Sequence, residues 1–277
     1  MSDLFDTSLA FRPGGHAMLS ATLHAALIAP PSLTVALSGG IDSLTLSAAA
    51  ALARGAQGVT QCHAVSPAVP AAATARVHRF AQDRGLALKI VDAGEFADAS
   101  YRANPVNRCY FCKSNLYGTL SRMGDVVAAG TNMDDLSDYR PGLVAAGEHG
   151  VVHPFVEAGM TKQDVRILAR ALGLGDLAEL PAAPCLASRI ETGLRVEPGD
   201  LQVIDRVETL LRGALGNITL RCRLLRTGWV IEIDPAFHAG MNEAQRGEVR
   251  ALAGGATGDG RPVALRAYER GSAFVHR

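Results

Sequence analysis

The chain has 277 residues, 48% hydrophobic and 19% charged, with 27 Lys and Arg balanced by 27 Asp and Glu. This is the make-up of a globular protein with a sizeable core, and its zero net charge excludes the strongly basic field of a nonspecific nucleic-acid binder. No apolar run reaches the roughly 18 residues needed to span a bilayer, and the start, Met-Ser-Asp-Leu-Phe-Asp, lacks the regions of a secretory signal, so a cytoplasmic location is expected.

The first predicted element is an amphipathic helix over 14–28, stopped by Pro30 and Pro31. Residues 33–37 form a short apolar strand that runs directly into Ser38-Gly39-Gly40-Ile41-Asp42-Ser43. The Ala- and Leu-rich stretch 42–54 is helical. A strand near 59–65, a helix over 71–84 closed by Gly85 and a strand over 86–91 follow. Strands alternating with helices imply βαβ units and a mainly parallel sheet.

An α-rich stretch over 95–122 leads to a strand at 125–129 that ends in Gly130-Thr131-Asn132. A long polar loop then reaches Gly150, with a strand-like segment at 151–155. Thr161 caps a helix through Leu172, with Asp164 placed for a capping box. After residue 194 the pattern becomes helix 200–215, strands 218–225 and 229–234, helix 241–253 and strand 262–268, which is most of a ferredoxin-like unit. The expected organisation is an α/β parallel-sheet domain over 1–194 and a small α+β, ferredoxin-like domain over 195–277. The Gly-rich stretch 254–260 reads as a flexible loop.

The segment Ser38–Ser43 stands between a strand and a helix. There, backbone N–H groups converge at a helix N-terminus and favour an anion. Gly39 and Gly40 allow close approach to a phosphate, and Ser38 and Ser43 add hydroxyls. Asp42 would repel a phosphate directly, so a role through Mg²⁺ is expected for it. The plainer reading is a tight turn with a capping Asp. The string resembles the signature of the PP-loop ATP pyrophosphatases, which cleave ATP between the α- and β-phosphates. It lacks the Walker A lysine, which disfavours a kinase or motor ATPase.

Five cysteines, Cys62, Cys109, Cys112, Cys185 and Cys222, argue against a disulfide framework. Cys62 and Cys222 lie in apolar strand-like stretches and are expected to be structural. Cys109 and Cys112 form a C-x-x-C pair in Arg108-Cys109-Tyr110-Phe111-Cys112-Lys113, and Cys185 lies in Pro184-Cys185-Leu186-Ala187-Ser188-Arg189. Such a pair chelates a metal or serves as a redox couple. A zinc site needs a fourth ligand, which His153 could supply without any spacing that demands it. Three thiolates alone suit a [4Fe–4S] cluster with one iron free of protein ligand. Arg108, Lys113 and Arg189 beside these cysteines would lower thiol pKa values or hold substrate anions; surface charge is the plainer role.

Five ordered blocks between about residues 33 and 190 resemble the LarE-type sulfur transferases of the PP-loop superfamily. They are Ser38–Ser43, Arg108–Lys113, Gly130–Gly142, His153–Lys162 and Pro184–Arg189. The resemblance implies a PP-loop, adenine nucleotide alpha hydrolase-like domain using ATP and Mg²⁺. It implies adenylation of a carboxylate of a pyridinium biscarboxylate mononucleotide and conversion to a thiocarboxylate, on the route to a nickel-pincer cofactor.

By the same resemblance, ATP, Mg²⁺ or substrate contacts fall to Ser38, Gly39, Gly40, Asp42, Ser43, Thr131, Asn132, Asp135, Asp138, Arg140, Lys162 and Arg189. Asp42 and Cys185 are the expected catalytic residues. Cys109, Cys112 and Cys185 would hold a [4Fe–4S] cluster that delivers sulfide, the version that three cysteines favour; otherwise Cys185 gives up its own sulfur. For Asp134, Asp135 and Asp138 the alternative is a solvated turn, and for Lys162 an ordinary exposed lysine. The turn Ile190-Glu191-Thr192-Gly193 departs from the aromatic Pro-Tyr-Gly of the family, which puts the acceptor in doubt. The expected partners are a small nucleotide-like carboxylate, a sulfur-donor protein and further copies of the chain, without membrane or nucleic acid. The rival readings are a tRNA-thiolating enzyme, an amidating ligase of the NAD synthetase kind, and a non-catalytic nucleotide sensor.

Overall fold

The computed structural model describes residues 19–136, 140–181, 184–216 and 218–269. They fall into two compact units. The second holds Pro67–Pro70, Phe96–Arg108 and the chain from Pro184 onward, and the first holds the remainder. The chain therefore passes into the second unit at 184 rather than at the 194 read from sequence. The reason is local: Ile190 bridges to Leu224, and Arg189 pairs with Glu208.

In the first unit, strands β1 (Leu33–Ala36), β2 (Thr60–Ala64), β3 (Leu88–Val91) and β4 (Val126–Ala128) form a parallel sheet in the order β3-β2-β1-β4. The architecture is mixed α/β, consistent with a Rossmann-like PP-loop domain. On one face, β1 packs with the helices Ala21–Ile28, Ile41–Arg54 and Lys162–Ala171 through Leu23, Leu27, Leu33, Val35, Leu46 and Leu168. On the other, Cys62, Tyr117, Leu120, Val127 and Ala146 join β2 and β4 to the helices Arg108–Ser121 and Pro141–Glu148. Chain order reverses between β1 and β4. An open α/β sheet places ligands at such a switch point, beyond the C-terminal strand ends.

Three local expectations change. The polar stretch 130–150 contains a 3-10 turn, Met133–Leu136, and the helix Pro141–Glu148. Pro141 occupies the first helical turn, where its missing N–H costs nothing, and Leu143, Val144, Ala145 and Ala146 carry the helix on. The strand read at 151–155 shrinks to a single bridge between Val152 and Ala128, because Pro154 starts the short helix Pro154–Glu157. Residues 254–257, expected in a loop, complete the helix Glu243–Thr257, which Gly258 closes in a left-handed conformation. The capping box at Thr161 and Asp164 is present: the Thr161 hydroxyl and the Asp164 carboxylate each accept the other residue's backbone N–H.

The second unit is α+β. Helix Pro198–Leu215, strands β5 (Leu220–Leu225) and β6 (Gly228–Ile233), helices Pro235–Gly240 and Glu243–Thr257, and strand β7 (Val263–Ala267) follow in order. The sheet order is β5-β6-β7, with β5 antiparallel and β7 parallel to β6. Among the described residues this sheet has three strands, one short of a complete ferredoxin-like unit.

Candidate nucleotide site and cysteine loops

The Gly-rich loop leaves the C-terminal end of β1 and bonds to itself. The Ser43 hydroxyl donates to the Gly40 carbonyl (3.0 Å) and accepts the Ser38 backbone N–H (3.1 Å), while the Gly40 N–H reaches the Ser38 hydroxyl (3.3 Å). Gly39 has φ +80°, and a side-chain carbon there would lie 2.9 Å from the Ala73 carbonyl oxygen. Only glycine suits that position. Beneath the loop, the buried His63 donates Nδ1–H to the Leu37 carbonyl (2.7 Å) and accepts from the Thr74 hydroxyl (3.0 Å). Burial holds the His63 pKa below its ordinary value, against the pull of the Leu37 carbonyl. Arg76 on the helix Ala71–Asp83 donates to the Gly39 carbonyl at 2.7 Å.

Asp42 opens the helix Ile41–Arg54, and Lys162 opens the helix Lys162–Ala171. The Lys162 ammonium lies 2.6 Å from both Asp42 carboxylate oxygens. Both side chains stay about one-third exposed, at 30% for Lys162 and 29% for Asp42. Asn132, 1% exposed, lies just beyond the end of β4 and points its amide at Asp42 (3.4 Å). Its side-chain oxygen accepts the Asp134 N–H, and its backbone N–H donates to the Asp135 carboxylate. Asp135 pairs with Arg140 at 2.9 Å, and the Asp134 carboxylate accepts the Lys162 backbone N–H. Thr131 is half-buried between Gly130 and Asn132. A side-chain carbon on Gly130 would come within 2.8 Å of the Asp42 backbone, so glycine lets the end of β4 approach the loop helix. The structure thus brings Asp42, Asn132 and Lys162 together, with Asp134, Asp135 and Arg140 behind them. Asp138 lies outside the described residues.

Cysteine environments divide as expected. Cys62 and Cys222 are buried. Burial raises both thiols, Cys222 the more strongly, so neither is a thiolate near neutrality. Cys109 is exposed, and Cys112 and Cys185 are half-buried. Cys109 and Cys112 are three apart on the helix Arg108–Ser121 in the first unit, and Cys185 precedes the 3-10 turn Leu186–Arg189 in the second. Among the described residues no three His, Cys, Asp or Glu side chains are grouped so that they could hold a metal ion. His153 has a buried Nδ1 without a hydrogen-bond partner, and burial lowers its pKa.

The arginines beside the cysteines turn inward. Arg108 is buried and donates to the Asn104 side-chain oxygen and the Ala187 carbonyl. Arg189 is 3% exposed at its side chain and pairs with the 2% exposed Glu208 through Nε (2.9 Å). Its Nη1 donates to the carbonyls of Pro184 (2.7 Å) and Cys185 (3.2 Å). Burial tends to raise the Glu208 carboxyl, but Arg189, Arg212 and the Cys222 amide overcome it and hold it below the ordinary range. Arg189 therefore fixes the backbone that presents Cys185, and its forked guanidinium is taken up by protein acceptors. Lys113 lies with its ammonium 5.5 Å from the Tyr117 ring centroid.

No protein-family model matches the chain. An uncharacterised protein of Synechocystis is 39% identical over 206 residues, 73% of this chain and 76% of that protein. An uncharacterised protein of Methanocaldococcus jannaschii is 28% identical, over 77% of this chain and 82% of its own. The pyridinium-3,5-bisthiocarboxylic acid mononucleotide synthase of Lactiplantibacillus plantarum is 31% identical over 211 residues, 73% of this chain and 75% of the synthase. The chain belongs to the family of this synthase. Among the described residues no helix is long and apolar enough to cross a membrane.

Against the synthase-family blocks, Arg76 and Glu208 are what sequence reading passed over. Arg76 is one arginine in an Ala-rich helix, and Glu208 is one acid on an amphipathic helix. Neither carries a local signal, since each is defined by a partner distant in sequence.

Proposed function

We propose that this protein is an ATP-dependent sulfur transferase that acts on a pyridinium-3,5-biscarboxylic acid mononucleotide or a close analogue. A substrate carboxylate attacks the α-phosphorus of ATP, and pyrophosphate leaves with the electron pair of the broken P–O bond. A sulfur nucleophile then attacks the acyl carbon of the adenylate, and AMP leaves. The observation that carries the reading is the self-bonded Ser38–Ser43 loop with the Asp42–Lys162 pair at the sheet switch point. Backbone N–H groups with one lysine suit a polyphosphate, and the printed name of the Lactiplantibacillus relative is that of a thiocarboxylate synthase.

Asp42 is the carboxylate that suits Mg²⁺ in this site. Lys162 now neutralises it, so bound Mg²⁺ would release the ammonium toward phosphate. The metal would supply charge neutralisation on the phosphates. Thr131, Asn132, Asp135 and Arg140 serve the nucleotide in this proposal, Asp138 is assigned to it from the sequence block alone, and Arg189 serves by positioning Cys185.

Sulfur comes through the accessible cysteines. Thiolates of Cys109, Cys112 and Cys185 are the right donors for a [4Fe–4S] cluster, which would supply sulfide when bound. The alternative uses Cys185 alone. Its thiolate displaces AMP to form a thioester, and loss of the Cα proton with cleavage of the Cβ–S bond leaves a thiocarboxylate and dehydroalanine. Anaerobic purification with iron, sulfide and intact-mass analysis separates the two. A sulfur-donor protein, a cytoplasmic location, self-association and a place in nickel-pincer cofactor synthesis complete the proposal. Cys185→Ala is expected to release pyrophosphate yet form no thiocarboxylate. An amide in place of a thiocarboxylate, formed equally by wild type and by that variant, would favour an amidating ligase and sink this reading. A salt-sensitive complex with tRNA would favour tRNA thiolation.

A further inference from the structure

Arg76 differs from the inward-turned arginines that face a carboxylate or several carbonyls. Arg189 faces Glu208, Arg223 faces Glu232 and Arg102 faces Glu197. Arg54 is held by the three carbonyls of Leu27, Pro30 and Pro31, besides that of Gly58. Arg84 donates to two carbonyls and lies over the Phe80 ring. Arg76 is half-buried, and among the described residues it makes one hydrogen bond, Nη1 to the Gly39 carbonyl (2.7 Å), and has no carboxylate partner. A guanidinium has five N–H donors in a rigid fork, so most of this one is uncommitted. Burial and then the neighbouring Arg79 both press against its charge. That bond ends on the loop residue whose φ is +80°, where an added side-chain carbon would lie 2.9 Å from the Ala73 carbonyl oxygen of the same helix.

A partly desolvated cation with spare donors beside a phosphate-type loop is poised for an anion that the loop itself admits. We propose that Arg76 is a phosphate-binding residue that grips the β,γ-end of ATP, and hence the departing pyrophosphate, while its Gly39 bond keeps the fork at the loop. This rests on the adenylating reading above and adds a residue to it. In the step concerned, the α–β bridging oxygen keeps the electron pair of the broken bond, and negative charge grows on pyrophosphate. A guanidinium there opposes that charge with no proton transfer.

The test is calorimetric titration of the full-length protein and its R76Q and R76K forms with ATP, pyrophosphate and AMP, without acceptor substrate, with a thermal melt of each. A lost charge-assisted hydrogen bond should weaken ATP and pyrophosphate binding by about 10- to 100-fold in R76Q. AMP binding should change by less than about twofold, and R76K should recover part of the loss. ATP affinity within about twofold of wild type in a folded R76Q protein overturns the proposal. Equal losses for AMP and ATP also overturn it, since they mark Arg76 as a loop anchor only. If wild type binds neither ATP nor pyrophosphate, the adenylating reading fails first, and this inference with it. Should R76Q not fold, phenylglyoxal labelling of wild type decides. Protection of Arg76 by ATP and pyrophosphate but not by AMP upholds the proposal, and labelling unaffected by ATP refutes it.

Discussion

Two ion pairs, one in each unit, are built differently. Asp42–Lys162 in the first unit is about one-third exposed, while Arg189–Glu208 in the second is almost wholly buried. A half-solvated pair contributes little to stability, about 0–1 kcal/mol, so it is easily exchanged for a better partner. A buried pair tolerates no such exchange, because removal of one member strands the other in low dielectric. Charge at the Gly-rich loop is therefore replaceable, whereas charge under Cys185 is a fixed part of the framework.

The largest stability effect should come from the buried pair. Glu208→Ala leaves Arg189 without its counter-ion and should cost about 3–5 kcal/mol, read as a lower urea midpoint. A loss below about 1 kcal/mol would break the contrast. Gly39→Ala comes next. It forces a side chain into φ +80° and within 2.9 Å of the Ala73 carbonyl, which should cost about 2 kcal/mol and weaken ATP binding.

A pH titration sharpens the comparison further. His63 and His153 have folded pKa values depressed by burial, so folding favours their neutral forms. Their contribution is fully present above the unfolded value of about 6.5 and is lost as pH falls through the folded values. Glu208 acts in the same direction at lower pH, since its depressed carboxyl contributes above its ordinary value of 4.5 and fails below it. Stability should therefore decline on acidification below about pH 6.5. His63→Asn should flatten the upper part of that decline in urea-denaturation series. The smallest stability effect is expected from Lys162→Met, within about 1 kcal/mol of wild type by the same measure. On the proposed function its pyrophosphate release should nonetheless fall severely, because that reading gives the Asp42–Lys162 pair to the nucleotide rather than to the fold.

What the sequence disclosed was local chemistry. Gly39, Gly40 and Ser43 mark a strand–loop–helix junction by residue type alone, and Thr161 with Asp164 marks a helix start by spacing alone. Both stand in the structure. The helix at Pro141–Glu148 was hidden by the polar residues before it, although Pro141 is a helix-start signal. Apolar residues around Val152 imitated a strand that Pro154 cuts to one bridge.

Long-range pairs were the illegible part of the site. Asp42 and Lys162 are 120 positions apart, and Arg76 reaches a carbonyl 37 positions away. Arg189 read as an anion ligand because its sequence neighbour is the cysteine loop. Its burial against Glu208 depends on tertiary packing that no local pattern records. Accessible and buried cysteines, by contrast, were separable in advance, because polar or apolar neighbours along the chain foretell exposure.

The most direct test of the central claim is a single incubation of the anaerobically purified protein with ATP, Mg²⁺ and pyridinium-3,5-biscarboxylic acid mononucleotide, with nucleotide and acceptor products followed by mass spectrometry. The account predicts acceptor-dependent AMP and pyrophosphate, with one carboxylate oxygen of the acceptor replaced by sulfur. ADP with inorganic phosphate, or AMP with an acceptor that has gained nitrogen in place of sulfur, would contradict it.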